Sequence, residues 1–285
     1  MAEAPLTDKQ SQRSNATVFL GGGRITTALL AGLLLAGYRG QIAVHDRNPE
    51  KLRAIKRHFR IETERELTNA LLRAEMLIVA VRPDSVAKLL GEVAPILDRT
   101  SHRPLLAVSL AAGVPLRRLR AQLSSVRWVR AMPSPVCRVG RGLTALSFDR
   151  GVTRADRKRV RAFFQNVGAV LEIPESKLDA YTVTFSPSHG YHALATLAKT
   201  GKAAGLDRKT ALTAACHALA DGILYWRESG EDLDQLLQEA NTPGGTAAAT
   251  MEAMDKAGYE KILLQGLRAG VEQARRNAIL SAKRR

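Results

Sequence analysis

Short apolar runs alternate with longer stretches whose apolar positions fall at helical spacing, from residue 17 to about residue 173. Thr17–Leu20 is β-branched and apolar and predicts a strand; Gly21-Gly22-Gly23 follows at once. A helical pattern then opens with Ile25, Leu29 and Leu33 and runs to about Ala36, where Gly37 and Gly40 stop it. Gln41–His45 predicts a second strand, ending in Asp46-Arg47-Asn48-Pro49. Pro49 suits the first turn of a helix, which continues through Lys51–Phe59. Glu64–Ala74 reads as another short helix, and Met76–Val81 as a strand buried on both faces, because it is continuously apolar. Beyond Arg82–Ser85 a helix runs through Leu97, Leu105–Leu110 is the next strand, and a basic helix Pro115–Leu123 leads to strand Val126–Arg130. Met132–Gly142, rich in Pro, Ser and Gly, reads as a loop. Leu143–Phe148 and Ala169–Ile173 predict two more strands around a helix at Thr153–Asn166. This alternation argues for a doubly wound, parallel α/β sheet.

From about Pro174 the character changes to Ala- and Leu-rich helix with no convincing strand. The expected organisation is a polar leader over residues 1–16, an α/β domain over 17–173 and an all-α domain over 174–285. Two interruptions mark the helical half. Phe185–Gly190 cuts into a helix otherwise running Lys177–Ala204, since Pro187 removes an N–H and clashes with the preceding turn. Asn241–Thr246 separates two further helices.

With 285 residues, 45% of them apolar, the chain can bury a sizeable core as one large domain or two. Its net charge of +16 admits a nucleic-acid partner, but the basic residues are spread over many helices, among them Arg117, Arg118, Arg120, Arg157, Lys158 and Arg161. Aromatics amount to only 5% and no finger or helix-turn-helix spacing occurs, so a solvated basic surface is expected instead. Cys137 and Cys216 form no ligand cluster, which predicts no metal and fits a reducing, cytoplasmic compartment. The leader has no apolar core of a secretory signal, and the longest apolar run, Ala28–Ala36, is too short to span a bilayer.

The strand–glycine–helix stretch carries the clearest chemistry. Gly21 and Gly23 match the first two glycines of a dinucleotide fingerprint, while Thr26 stands at the third position. A helix opening there directs unpaired N–H groups at a phosphate; the alternative is an ordinary β–α turn. Asp46 lies at the right distance to accept from an adenosine ribose, which favours NAD(H). Arg47 and Arg24 favour a 2′-phosphate, and NADP(H) is slightly preferred on balance. The Asn241–Thr246 break again offers small residues and N–H groups at a helix start, either a carboxylate site or a plain interhelix turn. His189, His192 and His217 read as structural or surface histidines.

Taken in order, VFLGGGRITTALLAGL, DRNPEKL, VRPDSV, VSLAAGVPLRRL, VRAMPSPVCRVGRGLTAL, LDAYT and NTPGGTAAATMEAM resemble the pyrroline-5-carboxylate reductase family over about Val18–Leu280. The resemblance implies a Rossmann-type domain followed by an all-α dimerisation domain with interlocking helices, in a homodimer or larger homo-oligomer. It also implies NAD(P)H-dependent reduction of a small cyclic imine to L-proline. By the same resemblance Gly21, Gly23, Arg24, Ile25, Val81, Arg82 and Pro83 border the cofactor, and Ala111, Ala112 and Gly113 lie near the nicotinamide. Gly244, Gly245 and Thr246 would anchor the substrate carboxylate. Thr182 would meet the ring nitrogen, or else bond back to its own helix. Three departures stand out: Ser134 where the family reads Asn, Phe185–Tyr191 (FSPSHGY) in place of a glycine-rich SGSGPAY, and Ala247 after the first hydroxyl of the PGGT turn. They leave open a different imine, or a nucleotide-binding regulator without turnover.

Overall fold

The computed structural model describes residues 16–100 and 105–283. Residues 1–15 of the expected leader lie outside them, and Ala16 already belongs to the first strand. The first part runs β1 (Ala16–Leu20), α1 (Arg24–Leu35), β2 (Ile42–His45), α2 (Pro49–Phe59), β3 (Glu62–Glu64), α3 (Leu67–Arg73), β4 (Ala74–Val79) and α4 (Val86–Thr100). It continues with β5 (Leu105–Ser109), α5 (Leu116–Gln122), β6 (Val126–Pro133), β7 (Gly142–Phe148), α6 (Arg154–Gln165) and β8 (Gly168–Glu172). These strands form one sheet in the order β3-β2-β1-β4-β5-β6-β7-β8. Neighbours are parallel except β6 and β7, which pair antiparallel with Val129 opposite Phe148. Strand order therefore reverses between β1 and β4, which opens a crevice at their carboxyl ends.

Each face of the sheet buries its own apolar layer. Val18, Leu20, Leu77, Val79, Leu90, Val93 and Trp128 pack on one side; Phe19, Leu29, Leu33, Ile78, Val108, Phe163 and Phe164 pack on the other. That explains the unbroken apolar run in β4, where alternate residues enter opposite layers. Helix α1 approaches the 3₁₀ turn Pro135–Val139 so closely that a Cβ on Gly32 would stand 2.1 Å from the Cys137 carbonyl oxygen.

Two local expectations change. The helix read over Glu64–Ala74 begins only at Leu67, because Glu62–Glu64 extends along the free edge of β2 with Ala43 opposite Glu62. The loop read from Met132 is partly strand: β6 runs on to Pro133, opposite Thr144, because β7 supplies an antiparallel neighbour.

Beyond Glu172 no strand occurs among the described residues. The helices are α7 (Leu178–Thr184), α8 (Pro187–Ala203), α9 (Arg208–Cys216), α10 (Gly222–Ser229), α11 (Leu233–Ala240), α12 (Thr246–Lys256) and α13 (Tyr259–Lys283), with a π turn at His217–Asp221 joining α9 to α10. Contacts divide the chain into two compact units: the stretch up to Thr182 together with Val271 onward, and Val183–Gly270. Within the second unit Leu212, Ile223, Tyr225, Ile262 and Leu263 are exposed along the single chain.

Candidate active site

The crevice is built from the β1–α1 turn upward. Gly21 has φ +114°, and a Cβ there would lie 2.7 Å from the Ala80 carbonyl oxygen, so only glycine lets the turn cross the end of β4. Its N–H donates to the His45 carbonyl at 2.8 Å, and the Ala80 N–H donates to the Leu20 carbonyl at 2.9 Å. Gly23 is the N-cap of α1; no side chain caps the helix, its first turn has no acid, and a Cβ on Gly23 would meet open space. A helix start of this kind presents N–H groups and a positive dipole end to an anion. Thr26 completes the turn rather than weakening it. Its side chain is fully buried, and its hydroxyl donates to the Gly21 carbonyl at 2.6 Å.

A cleft of about 550 Å³ opens here, lined by Gly21, Gly23, Arg24, Asp46, Arg47, Val81 and Arg82 from the predicted set, and by Lys51, Ser85 and Lys88, which sequence reasoning missed. Ile25 and Pro83 do not line it. Lys51 and Lys88 sit in the first turns of α2 and α4. Helical spacing would have put them near the crevice once the strand order was known. Asp46 is engaged from within: Oδ2 accepts the Gly22 N–H at 2.7 Å, Oδ1 accepts the Asn48 N–H at 2.8 Å, and Lys51 Nζ stands 3.5 Å away. Arg47 pairs with Glu92 at 2.5 Å, and Arg82 lies 3.8 Å from Asp84. Arg24 and Lys88 have no acidic partner within salt-bridge distance among the described residues. An anionic dinucleotide with its pyrophosphate at the α1 N-terminus fits this lining.

Ala111, Ala112 and Gly113 lie outside that cleft, in the turn after β5. The Leu110 N–H donates to the Val79 carbonyl at 2.9 Å, which holds the start of this turn to the end of β4. Gly113 has φ +77°, and α13 comes so near that a Cβ on Gly113 would be 2.2 Å from the Ala274 carbonyl oxygen. Thr182 is half-buried in α7, and its hydroxyl donates to the Leu178 carbonyl at 2.6 Å. Burial pushes the neighbouring Tyr181 phenol up to about 12, so it stays protonated at neutral pH. Ser134, the departure in the MPS stretch, caps the 3₁₀ turn by accepting the Val136 N–H at 3.2 Å.

In the second unit Gly244 has φ +76° and Gly245 is the N-cap of α12, again without a side-chain cap or an acid in the first turn. The Gly245 N–H donates to the Thr242 carbonyl at 2.9 Å, which leaves the Gly244 N–H and the Thr246 N–H and hydroxyl as the candidate anchor. His189 Nε2 donates to the Val183 carbonyl. No group of His, Cys, Asp and Glu able to hold a metal occurs among the described residues, and none of their helices is long and apolar enough to cross a membrane.

The reversed strand order, the glycine turn and the cationic cleft define a Rossmann-type, dinucleotide-binding protein. Residues 17–113 match the family described as NADP oxidoreductase, coenzyme F420-dependent, and residues 175–277 match pyrroline-5-carboxylate reductase dimerisation. The pyrroline-5-carboxylate reductase of Mycobacterium leprae is 31% identical over 268 residues, covering 86% of this chain and 90% of the relative. The chain belongs to the pyrroline-5-carboxylate reductase family. Solved structures share its fold. That of Coxiella burnetii pyrroline-5-carboxylate reductase has a TM-score of 0.82 at 24% identity, covering 94% of this chain and 99% of the other. That of Plasmodium falciparum pyrroline carboxylate reductase with NADP bound has a TM-score of 0.79 at 20% identity, covering 93% and 98%.

Proposed function

We propose that the protein is a cytoplasmic homodimer or larger homo-oligomer that reduces L-Δ1-pyrroline-5-carboxylate to L-proline, with NADPH preferred over NADH. The observation that carries the reaction is the 31% identity to a pyrroline-5-carboxylate reductase across 86% of the chain. The exposed Leu212, Ile223, Tyr225, Ile262 and Leu263 of the helical unit support self-association, since a lone chain would leave that apolar surface wet.

The cofactor preference rests on the cleft's charges. Asp46 is already held by two N–H groups and Lys51, so it is poorly free to take a ribose hydroxyl. Arg24 and Lys88, without acidic partners among the described residues, suit a 2′-phosphate.

When bound, the nicotinamide supplies a hydride to the imine carbon. The protein's part is to orient and to hold charge. The Gly244 N–H, the Thr246 N–H and the Thr246 hydroxyl grip the substrate carboxylate, turning an encounter into a near-attack geometry. Thr182 has already committed its proton to Leu178, so its oxygen accepts from the substrate and does not act as an acid. That role requires the imine to enter protonated, which is also the better hydride acceptor. The Nε2 proton of His189 is likewise committed to the Val183 carbonyl, which argues against His189 as the proton donor.

The test is cofactor oxidation by purified protein with L-Δ1-pyrroline-5-carboxylate, run with NADPH and with NADH. Turnover on the order of 1–10³ per second, faster with NADPH, is the expected result. Absence of turnover in a protein that binds either dinucleotide would overturn the assignment and direct attention to the bulky Phe185–Tyr191 segment.

A further inference from the structure

Arg130 carries the most deeply buried charge among the described residues, at 2% exposure. It lies in β6 opposite Ser109, the last residue of β5, so it stands at the carboxyl edge of the sheet where open α/β folds bind ligands. Its Nη1 is 3.2 Å from Glu175 Oε1, its Nη2 is 3.3 Å from Asp179 Oδ1, and its Nε has no hydrogen-bond partner among the described residues. The same Glu175 Oε1 accepts the Leu116 N–H at 2.6 Å. Leu116 closes the turn that begins at Ala111, and Asp179 is in the first turn of α7, three residues before Thr182. One guanidinium therefore ties together the turn after β5, strand β6 and the helix bearing Thr182.

Stability alone does not explain this arrangement. Desolvating the Arg130 cation is costly while its partners Glu175 and Asp179 keep 33% and 29% of their side-chain surface exposed, and apolar residues of similar volume commonly serve a core as well or better. The best-attested use of a buried charge with its partners is to fix one register among packed elements. Here the elements it registers are the two that the proposed reaction needs at a set spacing.

We infer that Arg130 is a positioning residue for hydride transfer, fixing the turn at Ala111–Gly113 through Glu175 and the Thr182 helix through Asp179. The inference rests on the reading of those segments as the nicotinamide and imine sides of the site. A planar fork can span two carboxylates, whereas the ammonium of a lysine is a point charge and holds one well.

The experiment compares wild type with Arg130→Lys, Glu175→Gln and Asp179→Asn. The readouts are amide hydrogen exchange without substrate, NADPH binding by fluorescence, steady-state kinetics, and the isotope effect with NADPH deuterated at the transferred position. Arg130→Lys is expected to speed exchange in residues 111–116 and 178–184 together and to leave residues 24–30 and NADPH affinity unchanged. It should lower kcat about 10- to 100-fold, as expected for a misplacement near 1 Å, with an altered isotope effect. Asp179→Asn should loosen only 178–184, and Glu175→Gln chiefly 111–116. If Arg130→Lys does not fold, the two single-arm variants carry the same test. Wild-type kcat and isotope effect per folded site, or faster exchange spread evenly over the whole sheet, would overturn the inference. A wild-type protein that turns over no imine would overturn the functional reading instead, and the exchange pattern would still decide whether Arg130 couples the two segments.

Discussion

Replacing Asp46 with Asn separates two jobs that a carboxylate at the end of β2 can do. In a ribose-binding role its oxygens face the cofactor. In this protein they face the chain, accepting the Gly22 N–H at 2.7 Å and the Asn48 N–H at 2.8 Å. An amide keeps one acceptor and turns a donor toward the second N–H, so one bond to a charged group is lost. Such a bond is worth about 1.5–3 kcal/mol, and the Asp46 side chain is only 12% exposed, so screening removes little of it. Lys51 is 51% exposed and contributes little as an ion pair, so it is left out of the sum. The expected loss is about 2 kcal/mol, or roughly 4–8 °C in the unfolding midpoint for a chain of this size. Scanning fluorimetry without cofactor reads the stability, and kcat/KM with each dinucleotide reads the site. The expectation is a lower midpoint with both cofactors weakened alike, because the brace supports the turn they share. A wild-type midpoint with selective loss of NADH would refute it and restore Asp46 as a ribose acceptor.

Thr182→Val keeps shape but removes the oxygen, and kcat with the imine should fall about 10- to 100-fold, the equivalent of one hydrogen bond to a charged group, with NADPH affinity unchanged. Asp156→Asn breaks the capping box of α6 and should cost about 1 kcal/mol at neutral pH, read by urea denaturation. Burial raises the Asp156 carboxyl, but hydrogen bonds from Thr153 and Arg127 outweigh it and hold the group below the usual 3.8. Its stabilisation is therefore full above the unfolded carboxylate value and lost as pH falls through the lower folded value, so wild type and variant should converge in acid. Gly32→Ala would push a Cβ to 2.1 Å from the Cys137 carbonyl oxygen and should destabilise by about 3 kcal/mol, whereas Gly23→Ala, with open space around it, should leave the denaturation midpoint unchanged. Burial drives the Cys137 thiol up to about 11, so iodoacetamide at pH 8 should leave it unlabelled in the native protein, as peptide mass mapping would show.

The parts of the fold legible in sequence were those whose signal is local. A buried parallel strand shows itself as an unbroken apolar run, and the glycine turn shows itself because positive φ at Gly21 admits little else. The edge strand Glu62–Glu64 has no apolar pattern; pairing with β2 alone makes it a strand. Thr26 looked like a defect in the fingerprint because its bond to the Gly21 carbonyl is invisible without the turn's geometry. The cations Lys51 and Lys88 could be placed in the cleft only once the crevice between β1 and β4 was located. Arg130 was wholly hidden: its partners lie 45 and 49 residues away, and nothing in the local run VRAMP announces them.

The approach of Ala274 to Gly113 also bears on the order in which the protein is made. The ribosome releases the glycine turn, the cationic cleft and all of the sheet through Glu172 long before Ala274 emerges. A nascent chain can thus complete the glycine turn and the cationic cleft while the turn after β5 still lacks its cover. A message truncated just short of Val271 would yield a product that retains the whole sheet and keeps that turn bare.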